Sequence, residues 1–271
     1  MAGFGCAAWR AQRGDMSEDI RTETPAPGVL SIVLDRPERK NAISVSMYRA
    51  LRDALAAGET DPAVRVLVLS GSGGTFTSGN DVADFQKPQM EFPSPAVQFL
   101  QTLSTARKPV VAAIEGHAIG IGTTLLLHCD MVYAGETARF RLPFVNLALC
   151  PEGASSYLLP KVAGYKEAAR LLLLGDEFDA AAAVRAGVAT AVVPAEQALS
   201  AALECARALA AKPPRALAVT KMLLRRGDAR AVAETLLVEA DQFGQCRASA
   251  EAREAFAAFF EKRAPDFGPA G

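Results

Sequence analysis

The sequence predicts an α/β fold that continues into a helical C-terminal region. In the first half of the chain, short apolar runs rich in Val, Ile and Leu alternate with amphipathic segments of helical periodicity. From Gly164 onward, almost every segment has the composition of a helix. Strands separated by helices favour parallel pairing with right-handed crossovers, so we expect a layered core to which further helices are added.

The first half is expected to contain buried strands and two intervening helices. Three apolar runs bounded by turn residues predict strands over residues 29–34, 64–70 and 109–114. Ser44 is placed to cap a helix over residues 44–57. A Pro-Ser-Pro segment precedes a second expected helix over residues 97–105.

The C-terminal third is predicted to be helical, with one strand over residues 189–193. The expected helices cover residues 165–174, 180–186, 196–212, 214–226, 229–246 and 250–261. Composition divides the chain into three parts. We expect a disordered leader over residues 1–24, a core over residues 25–200 and a helical region over residues 201–271.

Composition and charge exclude several classes of protein. The chain has 271 residues, of which 50% are apolar and 22% are charged, a balance typical of a folded globular protein. Its net charge of −1 argues against nucleic-acid binding, and no apolar run reaches the roughly 20 residues that span a bilayer. The five cysteines are scattered without a C-x-x-C pair, which favours a reducing compartment and no zinc site. We therefore expect a cytoplasmic protein without a metal.

A glycine-rich loop over residues 71–81 follows the second expected strand. It lacks the Lys and Ser/Thr that a Walker motif places after its glycines, so the sequence does not predict a phosphate-binding P-loop. Gly, Ser, Asn and Asp are also the ordinary residues of a surface turn. The alternative is a loop that presents backbone N–H groups to a ligand.

A second glycine-containing segment covers residues 115–124, where an expected strand ends and an apolar helix over residues 125–129 begins. A helix N-terminus has unpaired N–H groups, and glycine at 120 and 122 lets a ligand carbonyl approach the backbone. Simple packing of a strand against a helix is the alternative explanation for these glycines.

The third segment places one carboxylate, that of Glu152, among apolar residues at the start of an expected helix. A favourable acid in the first helical turn is the simplest interpretation of that carboxylate. The neighbouring Cys150 is expected to pack as a small apolar side chain. His117 and His128 are expected to be surface or packing residues, since no nucleophile lies near them in the sequence.

As a set, these segments resemble the crotonase superfamily, the enoyl-CoA hydratase/isomerase family, over about residues 27–267. The matching motifs are Leu34-Asp35-Arg36-Pro37, Asn41-Ala42-Ile43, residues 76–81, residues 118–122, residues 129–134 and residues 260–263. Ser-Gly-Asn-Asp at 78–81 and Pro-Glu-Gly at 151–153 are most similar to Δ3,Δ2-enoyl-CoA isomerases of the peroxisomal type. The resemblance implies a crotonase-like ββα spiral core and a C-terminal helical oligomerisation region that forms homotrimers or hexamers.

The resemblance also implies roles for individual residues. Glu152 matches the base that moves a proton, and the backbone N–H groups of Asn80 and Ile121 match the oxyanion donors. The further residues expected to line a site for an acyl-CoA substrate are Ser78, Gly79, Asp81, Val82, Gly120, Gly122 and Phe144. Arg39, Lys40 and Lys262 are the expected contacts for CoA phosphates. No cofactor is expected, because the CoA thioester is itself the substrate.

Two positions differ from the hydratases of this family. Those hydratases use two glutamates, and the corresponding positions hold Thr124 and Phe144. Neither side chain supplies an acid or a base, so the resemblance favours isomerisation of an unsaturated fatty acyl-CoA. Hydration, thioester hydrolysis and a non-catalytic acyl-CoA-binding scaffold are the alternatives. Ile121 stands where many relatives have Gly, and a positive φ there would strain a β-branched residue.

Overall fold

The computed structural model describes residues 18–85 and 91–268, and two sheets form its centre. The strands are β1 (Ile20–Ala26), β2 (Val29–Leu34), β3 (Val66–Gly71), β4 (Val110–Ile114), β5 (His117–Ile119), β6 (Met131–Gly135), β7 (Arg139–Arg141), β8 (Phe178–Asp179) and β9 (Ala191–Val193). The larger sheet has the order β1-β2-β3-β4-β6-β9, and the smaller has the order β5-β7-β8. In the larger sheet every pair is parallel except β1 with β2.

Eleven helices lie within the described residues. They are α1 (Val45–Thr60), α2 (Val82–Phe85), α3 (Pro95–Ser104), α4 (Ile121–Thr124), α5 (Ser155–Ala163), α6 (Tyr165–Leu174), α7 (Ala180–Arg185), α8 (Ala198–Ala210), α9 (Pro214–Arg225), α10 (Ala229–Ala248) and α11 (Ala250–Glu261). The capping residues act as the sequence predicts. The Ser44 hydroxyl accepts a hydrogen bond from the first turn of α1, and the Ser94 hydroxyl does the same for α3.

Both faces of the larger sheet are covered by other elements, and successive side chains of each strand point to opposite faces. On β3, Leu67 and Leu69 join the core that also contains residues of α1 and α3, whereas Val66 and Val68 pack on the other face. That other face is covered by α8. Its contact residues are Ala198, Ala202 and Ala206, whose small side chains let the helix lie close to the sheet.

The α/β fold class is confirmed, and the three strands predicted in the first half are present with shifts of at most two residues at their ends. The smaller sheet was not predicted, because its strands are only two or three residues long and show no apolar alternation. The apolar helix expected over residues 125–129 is a 3₁₀ turn at Leu125–His128. The boundary expected at residue 200 falls inside α8, which packs on the sheet as part of the core.

The leader expected over residues 1–24 needs a correction. Residues 1–17 lie outside the described part of the chain, but β1 begins at Ile20 and pairs with β2 as far as Leu34. Ile20 is buried in the main core, which explains why the segment is ordered. None of the helices in the described ranges combines the length and apolar character needed to cross a membrane.

Candidate active site

The loop after β3 and the loop after β4 are joined side by side by backbone hydrogen bonds. Phe76 N–H donates to the Glu115 carbonyl, and Thr77 N–H donates to the His117 carbonyl, both at 2.8 Å. In return, Ile119 N–H donates to the Thr77 carbonyl at 3.1 Å. This pairing extends the parallel arrangement beyond the strands, so the two loops leave the sheet edge together.

The first loop is anchored by a buried amide. The Asn41 side chain donates to the carbonyls of Ser72 (2.9 Å) and Thr75 (2.8 Å), and its oxygen accepts the Arg36 backbone N–H. The Arg36 guanidinium in turn binds the Asp81 carboxylate at 2.9 Å. These bonds fix both ends of the segment that contains Asn80. The motifs at 34–37 and 41–43 therefore have a structural purpose, since they hold this loop in place.

The two loops present two free backbone donors. Within the described residues, neither the Asn80 N–H nor the Ile121 N–H has a hydrogen-bond acceptor. Gly79 precedes the first donor with φ +93°, and Gly120 precedes the second with φ +56° and ψ −118°, conformations that favour glycine. Ile121 itself is the first residue of α4 and has no positive φ, so its branched side chain is not strained.

Glu152 faces these loops and lies three residues before the first residue of α5. Its carboxylate accepts a hydrogen bond from the Asn80 side-chain amide at 3.1 Å. Burial, and after it the neighbouring Glu239 carboxylate, raise the pKa of Glu152, the hydrogen bond from Asn80 opposes the rise, and the net result is a pKa of about 8. Glu152 is therefore a stronger base than an ordinary glutamate.

Glu152 does not act as the first-turn acid that its sequence position suggested. Helix α5 has no side-chain cap from its own segment, because its N-cap residue is Ala154. The N–H groups of Ala154 and Ser156 are instead bound by Glu239 of α10, at 2.6 Å and 2.9 Å. The carboxylate of Glu152 is therefore available to the cavity, and the N–H groups at the helix end are bound by a residue 83 to 85 positions away.

Tyr48 is a site residue that sequence reasoning missed. Its hydroxyl donates to the Asn80 side-chain oxygen at 2.5 Å, which orients the amide so that its NH₂ points to Glu152. Burial raises the pKa of Tyr48 well above its usual value, so the hydroxyl keeps its proton. The only sequence signal was a phenol on the buried face of α1, between Met47 and Leu51.

His128 also contributes to the site, although it was expected to be a packing residue. Its buried Nε2 lies 2.7 Å from the Gly153 carbonyl, directly after Glu152. Burial lowers the pKa of His128 to about 4, so the ring is neutral near pH 7 and Nε2–H is the donor. His117, by contrast, is exposed as expected. Sequence alone did not indicate which histidine would meet the loop of Glu152.

Two cavities meet at Glu152. One of about 340 Å³ and one of about 330 Å³ share Asn80, Glu152 and Phe243 in their walls. The first is lined by Ala96, Val97 and Leu100 of α3, which is an apolar surface. The second is lined by both paired loops and by Phe144, Leu147 and Leu149.

Most of the predicted site residues gather here, and three do not. The second cavity is lined by Ser78, Gly79, Asn80, Val82, Gly120 and Phe144, and the first by Asp81. Ile121 and Gly122 are buried directly behind the second loop. Arg39, Lys40 and Lys262 are exposed and line neither cavity, and their contact with CoA phosphates stays a prediction. The basic side chains at the second cavity are Arg141 and Arg263.

The positions that hold a second glutamate in hydratases are occupied by side chains without acid or base chemistry. Phe144 is 4% exposed and lines the second cavity. Thr124 is buried beneath the loop of Glu152, where a Cβ on Gly153 would lie 2.8 Å from the threonine hydroxyl. Thr124 therefore leaves room only for glycine at 153.

Comparison with known proteins gives a single family. Residues 24–269 match the family model described as Enoyl-CoA hydratase/isomerase. The 2,3-dehydroadipyl-CoA hydratase of Escherichia coli (strain K12) is 32% identical over 88% of this chain and 94% of its own length. Enoyl-CoA delta isomerase 2 of Homo sapiens is 33% identical over 75% of this chain, which spans 53% of that protein. A crystal structure of enoyl-CoA hydratase/isomerase from Pseudoalteromonas atlantica T6c has a TM-score of 0.88 at 39% identity and covers 93% of this chain and 100% of its own.

The buried neutral ring of His128 makes a testable contribution to stability. The unfolded chain protonates this residue near pH 6.5, whereas the folded protein does so only near pH 4, so acidification from 6.5 toward 4 favours unfolding. In His128→Gln, the amide still donates to Gly153 but does not titrate. Between pH 7 and pH 5, we expect the free energy of unfolding to fall by about 2 kcal/mol more in wild type than in this variant. Urea unfolding at the two pH values measures the difference.

The exposed histidine provides the control. His117→Gln should show the same loss of stability on acidification as wild type. Equal pH dependence in wild type and His128→Gln would contradict a buried neutral ring.

Proposed function

The chain belongs to the enoyl-CoA hydratase/isomerase family, and from that premise we propose that it moves the double bond of an unsaturated fatty acyl-CoA from C3 to C2. The observation that carries the proposal is one partly buried carboxylate, Glu152, opposite two unpaired backbone N–H groups. A CoA thioester is the substrate class that the family implies. The oxygen of a thioester carbonyl gains negative charge during such a reaction, and two adjacent N–H donors can stabilise that charge.

The reaction begins with removal of a proton from C2 of a 3-enoyl thioester. The Glu152 carboxylate takes this proton, and the electron pair of the C–H bond spreads over the double bond and the thioester oxygen. The N–H groups of Asn80 and Ile121 stabilise the oxygen anion, each by about 10²- to 10³-fold in rate by analogy with other oxyanion holes. Glu152 then returns the proton at C4. The double bond now lies between C2 and C3, and the enzyme is unchanged.

The raised pKa of Glu152 suits this exchange. A carboxylate with a pKa of about 8 is a much stronger base than an ordinary glutamate, and its acid form still donates readily to carbon. The same residue can serve both carbons because one face of the planar anion presents both C2 and C4 to it. A second acid is therefore not required, which agrees with Thr124 and Phe144 at the positions of the hydratase glutamates.

Hydration is the nearest alternative, since relatives of this chain bear the name of hydratases. A hydratase must activate a water and protonate carbon at separate positions. Phe144 is buried against Gly120, with a ring carbon 4.0 Å from the position of a Cβ there, and it occupies apolar space beside the second loop. That side chain excludes water from the place where a second glutamate would hold it.

The first cavity supports an apolar acyl group as the substrate. Val97 and Leu100 of α3 and Leu236 and Phe243 of α10 line the first cavity, whose walls do not include Phe144. Apolar burial of an acyl chain there stabilises the complex by about 25 cal/mol for each Å² removed from water. Helices α3 and α10 are thus the elements that would limit chain length.

Assembly into homotrimers or pairs of trimers is part of the same proposal. Large apolar side chains are exposed on the C-terminal helices of the isolated chain, among them Met222, Leu223, Leu224, Phe259 and Phe260. Exposed large apolar side chains of this kind are typical of protein interfaces.

The reaction and its base are tested together by Glu152→Gln. Wild type should convert a 3-enoyl-CoA into the conjugated 2-enoyl-CoA, detected by the ultraviolet absorbance of the conjugated thioester. Glutamine keeps the size of the side chain but removes the base, so we expect a loss of at least about 10³-fold in kcat. In wild type, kcat/KM should rise tenfold per pH unit below about pH 8 and then level, because Glu152 must be deprotonated in the free enzyme.

The same assay separates the alternatives. Disappearance of absorbance when a 2-enoyl-CoA is supplied would indicate hydration instead. Binding of CoA esters with no change in either substrate would indicate a non-catalytic scaffold. Wild-type turnover by Glu152→Gln would exclude Glu152 as the base.

The oxyanion donors are tested by Gly120→Ala. Its φ of +56° and ψ of −118° do not accommodate alanine, so the substitution should displace the Ile121 N–H. We expect kcat to fall on the order of 10²-fold. Gly74→Ala is the matched control, because Gly74 also has positive φ (+71°) but has open space around it and lies outside both cavities. Comparable stability with unequal rates supports the assignment, and equal rates contradict it.

A further inference from the structure

We propose that Glu239 is a positioning residue that holds the Glu152 loop and the start of α5 against α10 and places a second negative charge near Glu152. This inference rests on the proposed role of Glu152 as the base. Glu239 belongs to α10, in the C-terminal region, and no motif of the sequence indicated it. It is 6% exposed and lines the same cavity as Glu152.

Glu239 binds the start of α5 through both of its carboxylate oxygens. One carboxylate oxygen accepts the Ala154 N–H at 2.6 Å. The other accepts both the N–H and the hydroxyl of Ser156, at 2.9 Å and 2.6 Å. These contacts satisfy the free N–H groups at the start of α5, directly after the Glu152 segment. Burial raises the pKa of Glu239, and the three donors oppose that rise because an ionised carboxylate is acceptor-only and accepts from all of them.

The Glu152 segment is thus held from two sides. His128 binds the Gly153 carbonyl from beneath, and Glu239 binds the Ala154 N–H from α10. Ala154 has φ +55°, a left-handed conformation that an alanine adopts only when its surroundings stabilise it. Two short bonds on adjacent residues supply that stabilisation. Loss of the Glu239 contact should therefore let the backbone relax and move Glu152 relative to the two N–H donors.

The charge of Glu239 acts on Glu152 as well. After burial itself, Glu239 is the main cause that raises the pKa of Glu152. Other ionisable groups surround the same cavities: Tyr48 and Arg49 of α1, Asp81 in the loop that precedes α2, Asp84 of α2, Glu91 before α3, Arg247 of α10, and Arg141 and Arg263 at the second cavity. Asp81 is paired with Arg36 and Arg49 with Glu91, so these charges are largely compensated locally.

Glu239 is not placed to transfer protons itself. Both of its oxygens are engaged by backbone and hydroxyl donors, whereas among the described residues the Glu152 carboxylate accepts a bond from the Asn80 amide alone. A group with its lone pairs occupied is a poor base toward carbon. Its effect on the reaction therefore passes through Glu152.

Asp228 provides a matched control for the helix contact alone. This carboxylate lies at the N-terminus of α10 and binds the Tyr157 hydroxyl (2.9 Å) and Lys161 of α5. It joins the same two helices as Glu239 does, but it lines neither cavity. A variant at Asp228 weakens the packing of α5 on α10 and leaves the surroundings of Glu152 intact.

The experiment is a carboxyl ¹³C NMR titration of the full chain labelled with ¹³C-glutamate. Glu152 is assigned by the resonance that Glu152→Gln removes, and Glu239 by the resonance that Glu239→Asp removes. In Glu239→Gln, we expect the midpoint of Glu152 to move to lower pH by about one pH unit, because the neighbouring charge is gone. The pH below which kcat/KM falls should move to lower pH by the same amount. Asp228→Asn should leave the midpoint unchanged.

The titration of wild type alone also tests the proposal, and it does so whether or not Glu239→Gln folds. Glu239 must lose its proton at a lower pH than Glu152 does, and the reverse order would overturn the proposal. An unchanged Glu152 midpoint in folded Glu239→Gln would overturn it, as would an equal change in Asp228→Asn. The titration does not depend on turnover, so absence of isomerase activity would contradict the proposed function and leave the test of Glu239 intact.

Discussion

The hydrogen bonds between the loop after β3 and the loop after β4 are the constraint on which the rest of the site depends. Each loop alone would have unpaired backbone groups at the surface, where water would satisfy them. Paired through Thr77, they leave the sheet in parallel and bring the N–H groups of Asn80 and Ile121 to the same cavity. The two glycines before these donors adopt conformations that other residues avoid, which points both N–H groups away from the sheet. Everything else in the site is arranged around that pair.

The second requirement is a carboxylate that is buried and yet able to accept a proton. Burial raises the pKa of Glu152 and makes it a stronger base. The hydrogen bonds from Tyr48 to Asn80 and from Asn80 to Glu152 give the buried carboxylate a polar partner. In the proposed reaction Asn80 would take part twice, through its backbone N–H toward the substrate oxygen and through its side chain toward Glu152. A shift of this one residue would disturb both groups, which explains why Arg36, Asn41 and Tyr48 all hold its loop.

Part of this organisation was predictable from sequence, and the rest was not. Strands β2, β3 and β4 were indicated by continuous apolar runs, because parallel strands buried on both faces have that composition. Asn80, Ile121 and Glu152 were indicated by the resemblance of their local motifs to one family. Tyr48, His128 and Glu239 were not, since each acts through a partner 25 or more residues away. Arg39, Lys40 and Lys262 were indicated by their charge and by their position near the opening motif and the C-terminus, and neither signal reports which cavity a side chain lines.

The measurement that tests the central claim most directly is the fate of deuterium placed at C2 of a 3-enoyl-CoA. Under single-turnover conditions with enzyme in excess, one carboxylate that serves both carbons should deliver part of the label to C4 of the 2-enoyl product. Mass spectrometry and NMR of the product locate the deuterium. Label at C4 is the predicted result. With both C2 hydrogens replaced by deuterium, one deuterium stays at C2 of the product, and a C4 hydrogen that comes entirely from solvent would contradict a single shuttling base.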